Sequence, residues 1–430
     1  MTRSLYFEDV TIFDGTAFFR GSLATDGSSI THIVRDGVIP TGGIPTARGE
    51  KMLVMPGMVN LHTHVPMAVF KGIAEDLPLK EWLEKRIFPL ESQFISREMC
   101  RIAGQWGMAE MLLSGVTAFA DMYFFEEEIA TAAKEIGIKA CIGEGVINFT
   151  APTGRDPEET ISYTVELIRK YRDDPWVFPC CAPHSPYLTE ERYLCALAEI
   201  AKEYRVPFHI HLAETQHEQD ASLARYGKRE VERLDEIGVL SKYVIAAHCV
   251  WVDESEMRCM ASRGVTVAHC PSSNLKLGSG IAPVAVMLQH GIPVAVATDG
   301  SASNNNLDLI NEAELAAKVQ KGIHRDPTLI PASTALSMVT SIPGKVLGYS
   351  FGRLIEGGSA DIVLMNLGSC FTAPLYDPAA AVIYASSPAT IVGVWVNGHR
   401  VVEEGRLLTI DVNILAREVE RMAETVRRAL

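Results

Sequence analysis

Between about residue 56 and residue 346 the chain alternates two textures. Short runs in which nearly every residue is apolar are separated by longer stretches whose apolar residues recur every third or fourth position. A strand covered on both faces of a parallel sheet needs apolar side chains on both, whereas a helix lying on that sheet needs only one stripe. Eight such runs stand out, at 58–64, 117–122, 139–146, 177–185, 207–214, 244–250, 266–271 and 293–300. The spacing between them predicts helices, among them 96–114, 157–172, 189–204, 253–262 and 307–321. Eight buried strands alternating with helices predict an α/β fold, a (β/α)8 TIM-type barrel. An open doubly wound sheet alternates in the same way, but no GxGxxG turn follows the first run.

The two ends read differently. Residues 4–13 alternate polar and apolar, Asp14-Gly15 marks a turn, and 30–35 is another short strand. Past the barrel, strands are predicted at 361–366, 391–396 and 400–402, with Asn397-Gly398 as a hairpin turn, followed by a helix over 411–430. The first segment is too short to close a core by itself. The two ends are therefore expected to combine into one small β-sandwich domain, residues 1–55 plus 347–430, beside a catalytic barrel over 56–346.

Composition narrows the partners. The 430 residues carry 39 Lys+Arg against 53 Asp+Glu, a net charge of -14, which argues against nucleic acid because phosphate binding needs concentrated cations. No run approaches the ~18 apolar residues of a membrane span, and the first ten residues lack the apolar stretch of a signal peptide. The 9 cysteines are odd in number and scattered, with no CxxC pair, and Cys180-Cys181 sits in an apolar run as core. A cytoplasmic protein with reduced thiols, a small-molecule substrate, no membrane and no nucleic acid is expected, as a homo-oligomer.

The chemistry lies at the ends of the runs. They finish in His62 and His64, Asp121, Glu144, His184, His211 and Glu214, His248, His269 and Asp299. In a parallel barrel these ends open on one face, where active sites are built. A single buried histidine is usually just a hydrogen-bonded core residue, but 12 histidines scattered at random would not place six at strand ends. His62 and His64 are two apart on a strand and share a face, so both can reach one metal ion. His211 is the preferred third nitrogen ligand, with His209 the alternative on the same face. Glu214 stands at the strand mouth as a proton shuttle, and His248 can polarise a substrate or hold an attacking oxygen. Asp299 can ligate the metal and accept a proton. Three histidines and one aspartate suit zinc or iron(II), and such an ion lowers the pKa of its water to about 7.

At PGMVNLHTH (56–64), KGIAEDLPLKEWL (71–83), FPLE (88–91), DMYF (121–124), APHSPY (182–187), HLAET (211–215), AHC (247–249), SSNLKLGSGIAPV (272–284), TDGSASNNNLD (298–308) and GSADIVL (358–364), the chain resembles the amidohydrolase superfamily. Within it, the chain is similar to the 5-methylthioadenosine/S-adenosylhomocysteine deaminases. The resemblance implies ligation of one divalent metal by His62, His64, His211 and Asp299, since the fourth run ends in Pro183-His184-Ser185 without the carboxylated lysine of two-metal relatives, and proton transfer by Glu214, His248 and Asp299. It implies that Glu91 binds the ribose hydroxyls, His184 contacts the purine, Trp82 walls the 5′ side, and Arg155 lies near the nucleoside. The implied reaction is metal-dependent hydrolytic deamination of an adenine nucleoside to the inosine analogue and ammonia. The rival activities are deamination of adenosine, 5′-deoxyadenosine, guanine, 8-oxoguanine or cytosine, and triazine hydrolysis. A barrel that has lost its ligands is the non-enzymatic alternative, against which the complete set of five site residues stands.

Overall fold

The structure is a computed structural model that describes residues 4–40, 44–347 and 351–430. The predicted runs form parallel strands in the order of the chain. Met58–Thr63, Val116–Tyr123, Lys139–Val146 and Val177–Pro179 are hydrogen-bonded neighbours, as are Phe208–Leu212, Val244–His248, Thr266–His269 and Val294–Val296. All eight residues of Val116–Tyr123 and all eight of Lys139–Val146 are buried, as strands covered on both faces require. Two seams join the sets. Cys181 bridges in parallel to Phe208 on one side. On the other, the Asp299 N–H donates to the His62 carbonyl at 3.1 Å and the Asn60 amide donates to Thr298 Oγ1 at 2.7 Å. The last strand is thereby brought back to the first, as a (β/α)8 barrel demands.

The helices between strands carry their own start signals. Asp156 caps Pro157–Lys170 in a reciprocal box with Glu159, and Asp253 does the same with Glu256 for Glu254–Arg263. Arg97–Leu113, Glu191–Tyr204 and Leu309–His324 fall where the spacing predicts them. The fourth run is not one strand over 177–185: it breaks after Pro179 and resumes at Ala182–Pro183 against the third strand. Prolines at 179 and 183 remove ladder donors, so a continuous pairing cannot form there.

Strands from both chain ends join in a single eight-stranded sheet. In its hydrogen-bonded order, Arg406–Leu407, His399–Glu403, Ile391–Val396 and Ile362–Asn366 lead to Ala47–Pro56, then Tyr6–Phe13, Phe18–Asp26 and Ser29–Arg35. The expected sandwich arises by curling rather than by two separate sheets. Phe7 and Trp395 lie three strands apart, about 14 Å across a flat sheet, yet their rings meet edge to face at 5.7 Å. The sheet therefore folds over itself around a core of Phe7, Ile12, Leu23, Val54, Ile362 and Trp395. Asn397 and Gly398 both have positive φ, the mirror-image turn that an Asn-Gly hairpin favours.

The two units share a strand line. Ala47–Pro56 runs into the first barrel strand with only Gly57 between, and a Cβ on Gly57 would lie 2.0 Å from Thr117 Oγ1. A buried ion pair stitches the same boundary: Lys139 Nζ, at the foot of the third barrel strand, lies 2.6 Å from Asp361 Oδ2. The helix Val412–Arg427 packs back on the barrel's Arg97–Leu113, where Arg421 pairs with Glu98. Among the described residues no helix is long and apolar enough to cross a membrane, and all nine cysteines are free thiols.

Candidate active site

The first barrel strand ends in His62-Thr63-His64, and alternation sends both imidazoles to the barrel's open end. Four imidazoles and one carboxylate meet there. Asp299 Oδ1 lies 3.5 Å from His62 Nε2 and 3.2 Å from His64 Nε2, and His64 Nε2 lies 3.3 Å from His211 Nε2. His62, His211 and His248 offer a second close set, all within 4.8 Å.

Each ring is turned by a partner on its outer side. His64 Nδ1 donates to the Met122 carbonyl at 2.5 Å and His211 Nδ1 to the His184 carbonyl at 2.7 Å. His248 Nδ1 meets Asn274 Oδ1 at 2.8 Å, and His62 Nδ1 meets His209 Nε2 at 2.7 Å. A carbonyl only accepts, so His64 and His211 in neutral form carry their protons on Nδ1 and present bare Nε2 lone pairs. Two bare nitrogens 3.3 Å apart cannot hydrogen-bond, and His62 Nε2 is buried without a hydrogen-bond partner, Asp299 Oδ1 standing 3.5 Å away. A cation resolves both. Ligands about 2.0–2.1 Å from a tetrahedral ion sit about 3.3 Å from each other, which matches the separations here. The donor set, nitrogen with one carboxylate oxygen, fits a divalent ion of the zinc type.

The carboxylates are tuned apart. Burial alone would raise the Asp299 carboxyl, but the His62 and His64 imidazoles beside it outweigh burial and hold it well below the usual range. Ser273 and Ser303 hydroxyls donate to Asp299 Oδ2 at 2.6 and 2.8 Å, which leaves Oδ1 to face the histidines. Glu214 goes the other way. Burial, reinforced by the charge of Asp299, raises it to about 8 against a Ser279 hydroxyl that donates at 3.2 Å. Its Oε2 lies 3.7 Å from His248 Nε2. At neutral pH the site thus holds one ionised carboxylate among the histidines and one protonated acid beside them.

Three site-bearing turns adopt left-handed backbone, with φ of 51° at Ala213, 69° at His248 and 62° at Asp299. Non-glycine residues rarely do so without outside support. At Ala213 the support is buried acid: Glu230 accepts from Ala213 N at 2.8 Å and Glu218 from Glu214 N at 3.0 Å.

Above the histidine and aspartate cluster lies a cavity of about 500 Å³, a size ordinary for small-molecule sites. Trp82, Glu91 and His184 line it together with His64, His211, Glu214, His248 and Asp299. Trp82 and Glu91 arrive on a helical run from Leu79 through a wide turn at Leu83–Ile87 to Phe94, which roofs the strand-one loop. Glu91 is buried and accepts from Tyr123 Oη at 2.6 Å, and burial lifts it to about 7 despite that bond. Burial lowers His184 to about 3, so it offers a neutral imidazole to the cavity.

Arg155 is not part of that lining. Its guanidinium pairs with Glu144 at 3.3 Å and stacks 3.7 Å over the Tyr163 ring, because the buried Glu144 carboxylate behind the wall is the stronger attraction. Asp121, Glu144 and His269 also end strands without lining the cavity. Asp121 instead accepts from Thr63 Oγ1 at 2.6 Å and Val65 N at 2.8 Å, bracketing His64.

Several working residues escaped the sequence reading: Ser273, Asn274, Ser279 and Ser303, which set the ligand and acid orientations, and Glu218 and Glu230, which hold the turn. Ser273, Asn274, Ser279 and Ser303 fall inside the stretches 272–284 and 298–308 that carry the resemblance, without a role assigned to them, and Glu218 left a local signal. Thr215 and Glu218 form the reciprocal cap of Gln216–Tyr226, a pattern visible as T-x-x-E.

Residues 53–401 match the amidohydrolase family. Over 424 residues the chain is 42% identical to a 5-methylthioadenosine/S-adenosylhomocysteine deaminase of Thermodesulfovibrio yellowstonii, covering 98% of this chain and 96% of that one. It is 40% identical over 365 residues to a 5′-deoxyadenosine deaminase of Methanopyrus kandleri, 84% of either chain. Among solved structures, an adenosine deaminase from Xanthomonas campestris with bound zinc superposes with a TM-score of 0.93 at 31% identity, covering 99% of this chain and 98% of that one.

Proposed function

The chain belongs to the amidohydrolase family, and on that premise we propose that it hydrolytically deaminates 5′-substituted adenosines, releasing ammonia and the inosine analogue. The observation that carries the reading is one cavity holding a buried acid, Glu214, across from a histidine and aspartate cluster fit for one divalent ion. Zinc is the ion we assign, with iron(II) the other that suits these donors.

His62, His64, His211 and Asp299 would hold the ion, which when bound supplies the Lewis acidity that lets hydrolysis run at neutral pH. Glu214, protonated by virtue of its burial, donates to N1 of the adenine ring and draws electron density away from C6. His248, with Nδ1 held by Asn274, presents Nε2 to the oxygen that adds at C6. Asp299 accepts the proton given up by the attacking water and returns it to the amino group, which leaves as ammonia; the hydroxyl left on C6 gives its proton back to Glu214 as C6 becomes a carbonyl, restoring the acid. His184 contacts the purine, Glu91 accepts from the ribose hydroxyls, and Trp82 walls the cavity. Arg155 acts behind that wall rather than on the nucleoside. A free base such as guanine or cytosine would leave Glu91 with Tyr123 as its partner and without the diol, forfeiting the hydrogen bonds a ribose supplies.

An ammonia-release assay across 5′-methylthioadenosine, 5′-deoxyadenosine, adenosine, guanine and cytosine tests the reading. Turnover of the nucleosides is expected. Strong turnover of a free base with none of any nucleoside would replace it.

A further inference from the structure

We propose that Glu312 is a positioning residue whose buried carboxylate clamps the loop after the seventh barrel strand to the loop after the eighth, and so fixes the aim of Asp299 and His248. The inference rests on the deaminase reading above for what those two groups do, though not for how they are held. Glu312 is 1% exposed and stands in the first turn of Leu309–His324, outside the cavity lining. Both of its oxygens are engaged. Oε2 accepts the Ser272 N–H at 3.1 Å, while Oε1 accepts the Ser272 hydroxyl at 2.5 Å and the Asn304 amide at 3.0 Å.

Each donor is the chain neighbour of a residue that touches the site. Ser273 and Ser303 both donate to Asp299 Oδ2, and Asn274 Oδ1 holds His248 Nδ1. The Asn304 amide also donates to the Thr298 carbonyl at 2.7 Å, one residue before Asp299. Apart from bonds to its flanking residues, the short helix Pro271–Lys276 has four hydrogen-bond partners among the described residues. Two of them, Asp299 and His248, are the groups it orients, and a third, Glu75, meets Lys276 where both side chains are about one-third exposed. Glu312 is the fourth, the one buried tether that is not itself part of the site. It is borne by a helix that buries Leu309, Ile310, Ala313, Ala316 and Ala317, a firmer base than a six-residue turn.

The chemistry calls for a carboxylate. Three donors converge on two oxygens, and hydrogen bonds to an ionised acceptor are about twice as strong as neutral ones. A glutamine has a single acceptor oxygen, and its NH2 would face either the Ser272 N–H or the Asn304 amide, donor against donor. Glu312→Gln therefore releases one loop from the other with almost no change of volume.

The test measures zinc affinity by chelator competition, and kcat and KM for 5′-methylthioadenosine, on the full chain. Glu312→Gln should bind zinc about tenfold more weakly and lose about 10–100-fold in kcat, with KM within about threefold of wild type. In a Ser273→Ala, Ser303→Ala background, where the links to Asp299 are gone, Glu312→Gln should weaken zinc binding by less than about twofold more. Ser272→Ala, at a half-buried position, removes one clamp bond and should weaken zinc binding in the same direction by a smaller factor. Wild-type zinc affinity in Glu312→Gln overturns the inference, as does the full tenfold loss repeated in the background lacking both serines, which would mark a general stabiliser. Should Glu312→Gln fail to fold, Ser272→Ala decides, and wild-type zinc affinity there overturns the clamp. If no nucleoside is deaminated at all, the deaminase reading falls, while the zinc affinities still judge the clamp.

Discussion

His62 Nδ1 lies 2.7 Å from His209 Nε2, and this contact separates two histidines that alternate on a single strand. His211 points its Nε2 into the cluster, while His209 stands behind His62 and turns that ring toward the same point. Groups that orient a metal-bound histidine are worth about 10–100-fold in metal affinity. His209→Leu should therefore weaken zinc binding by about that factor in a chelator competition, with the circular dichroism spectrum unchanged. His211→Ala should weaken it much further. Wild-type affinity in His209→Leu would mean that His62 is oriented by other contacts.

Glu214 carries its proton at neutral pH because burial and the Asp299 charge raise it to about 8. An acid that must donate loses function as pH rises through its pKa, so kcat should fall above about pH 8. Glu214→Gln keeps the shape and removes the proton, and should lower kcat by about 10²–10⁴-fold while metal content stays whole. A flat kcat profile to pH 10 would remove Glu214 from the donor role.

Glu91 offers a stability signature as well as a catalytic one. Its carboxyl is raised to about 7 by burial, from 4.5. The folded state then keeps a proton that the unfolded chain releases, so stability is full below about pH 4.5, declines toward pH 7 and stays reduced above. The shift corresponds to about 3 kcal/mol at most. Glu91→Gln should raise the unfolding midpoint at pH 8 and change it little at pH 4.5. Glu91→Ala should cost about 100-fold in kcat/KM on nucleosides with metal content retained, and an unchanged value would dissociate it from the ribose.

Lys139 and Asp361 form a buried pair across the boundary between barrel and sheet, with Ser359 Oγ also 2.8 Å from the ammonium and Asn397 N–H donating to Asp361 Oδ1 at 2.8 Å. Removing one partner strands the other. Lys139→Met should destabilise by about 3–5 kcal/mol in urea unfolding. The double variant Lys139→Met with Asp361→Asn should recover most of that loss, because asparagine still accepts from Asn397. Equal destabilisation by the single and double variants would show that the charge is not the cause.

The eight barrel strands could be read in advance because parallel strands buried on both faces leave uninterrupted apolar runs, and Val116–Tyr123 and Lys139–Val146 are such cases. Their catalytic ends were legible for a related reason. A polar residue closing an apolar run has little to do in a core, so His62, His64, His211, His248 and Asp299 announced themselves by position. The small sheet was less legible, since Phe7 and Trp395 are almost 400 residues apart in the chain and only the curling of the sheet brings their rings together.

The sequence by itself therefore determined the barrel, the candidate ligand and proton-transfer side chains at its strand ends, and an acid excess that argues against nucleic acid. Only the tertiary structure decided direction and pairing. It set His209 behind His62 rather than beside His211, raised Glu214 while holding Asp299 down, and drew Arg155 away from the cavity onto Glu144. The physical reason is that periodicity reports which face a residue occupies, whereas hydrogen-bond partners, burial and charge neighbours come from elements distant in the chain. Those distant partners are what turn a histidine into a ligand, a carboxyl into an acid, or an arginine into part of a wall.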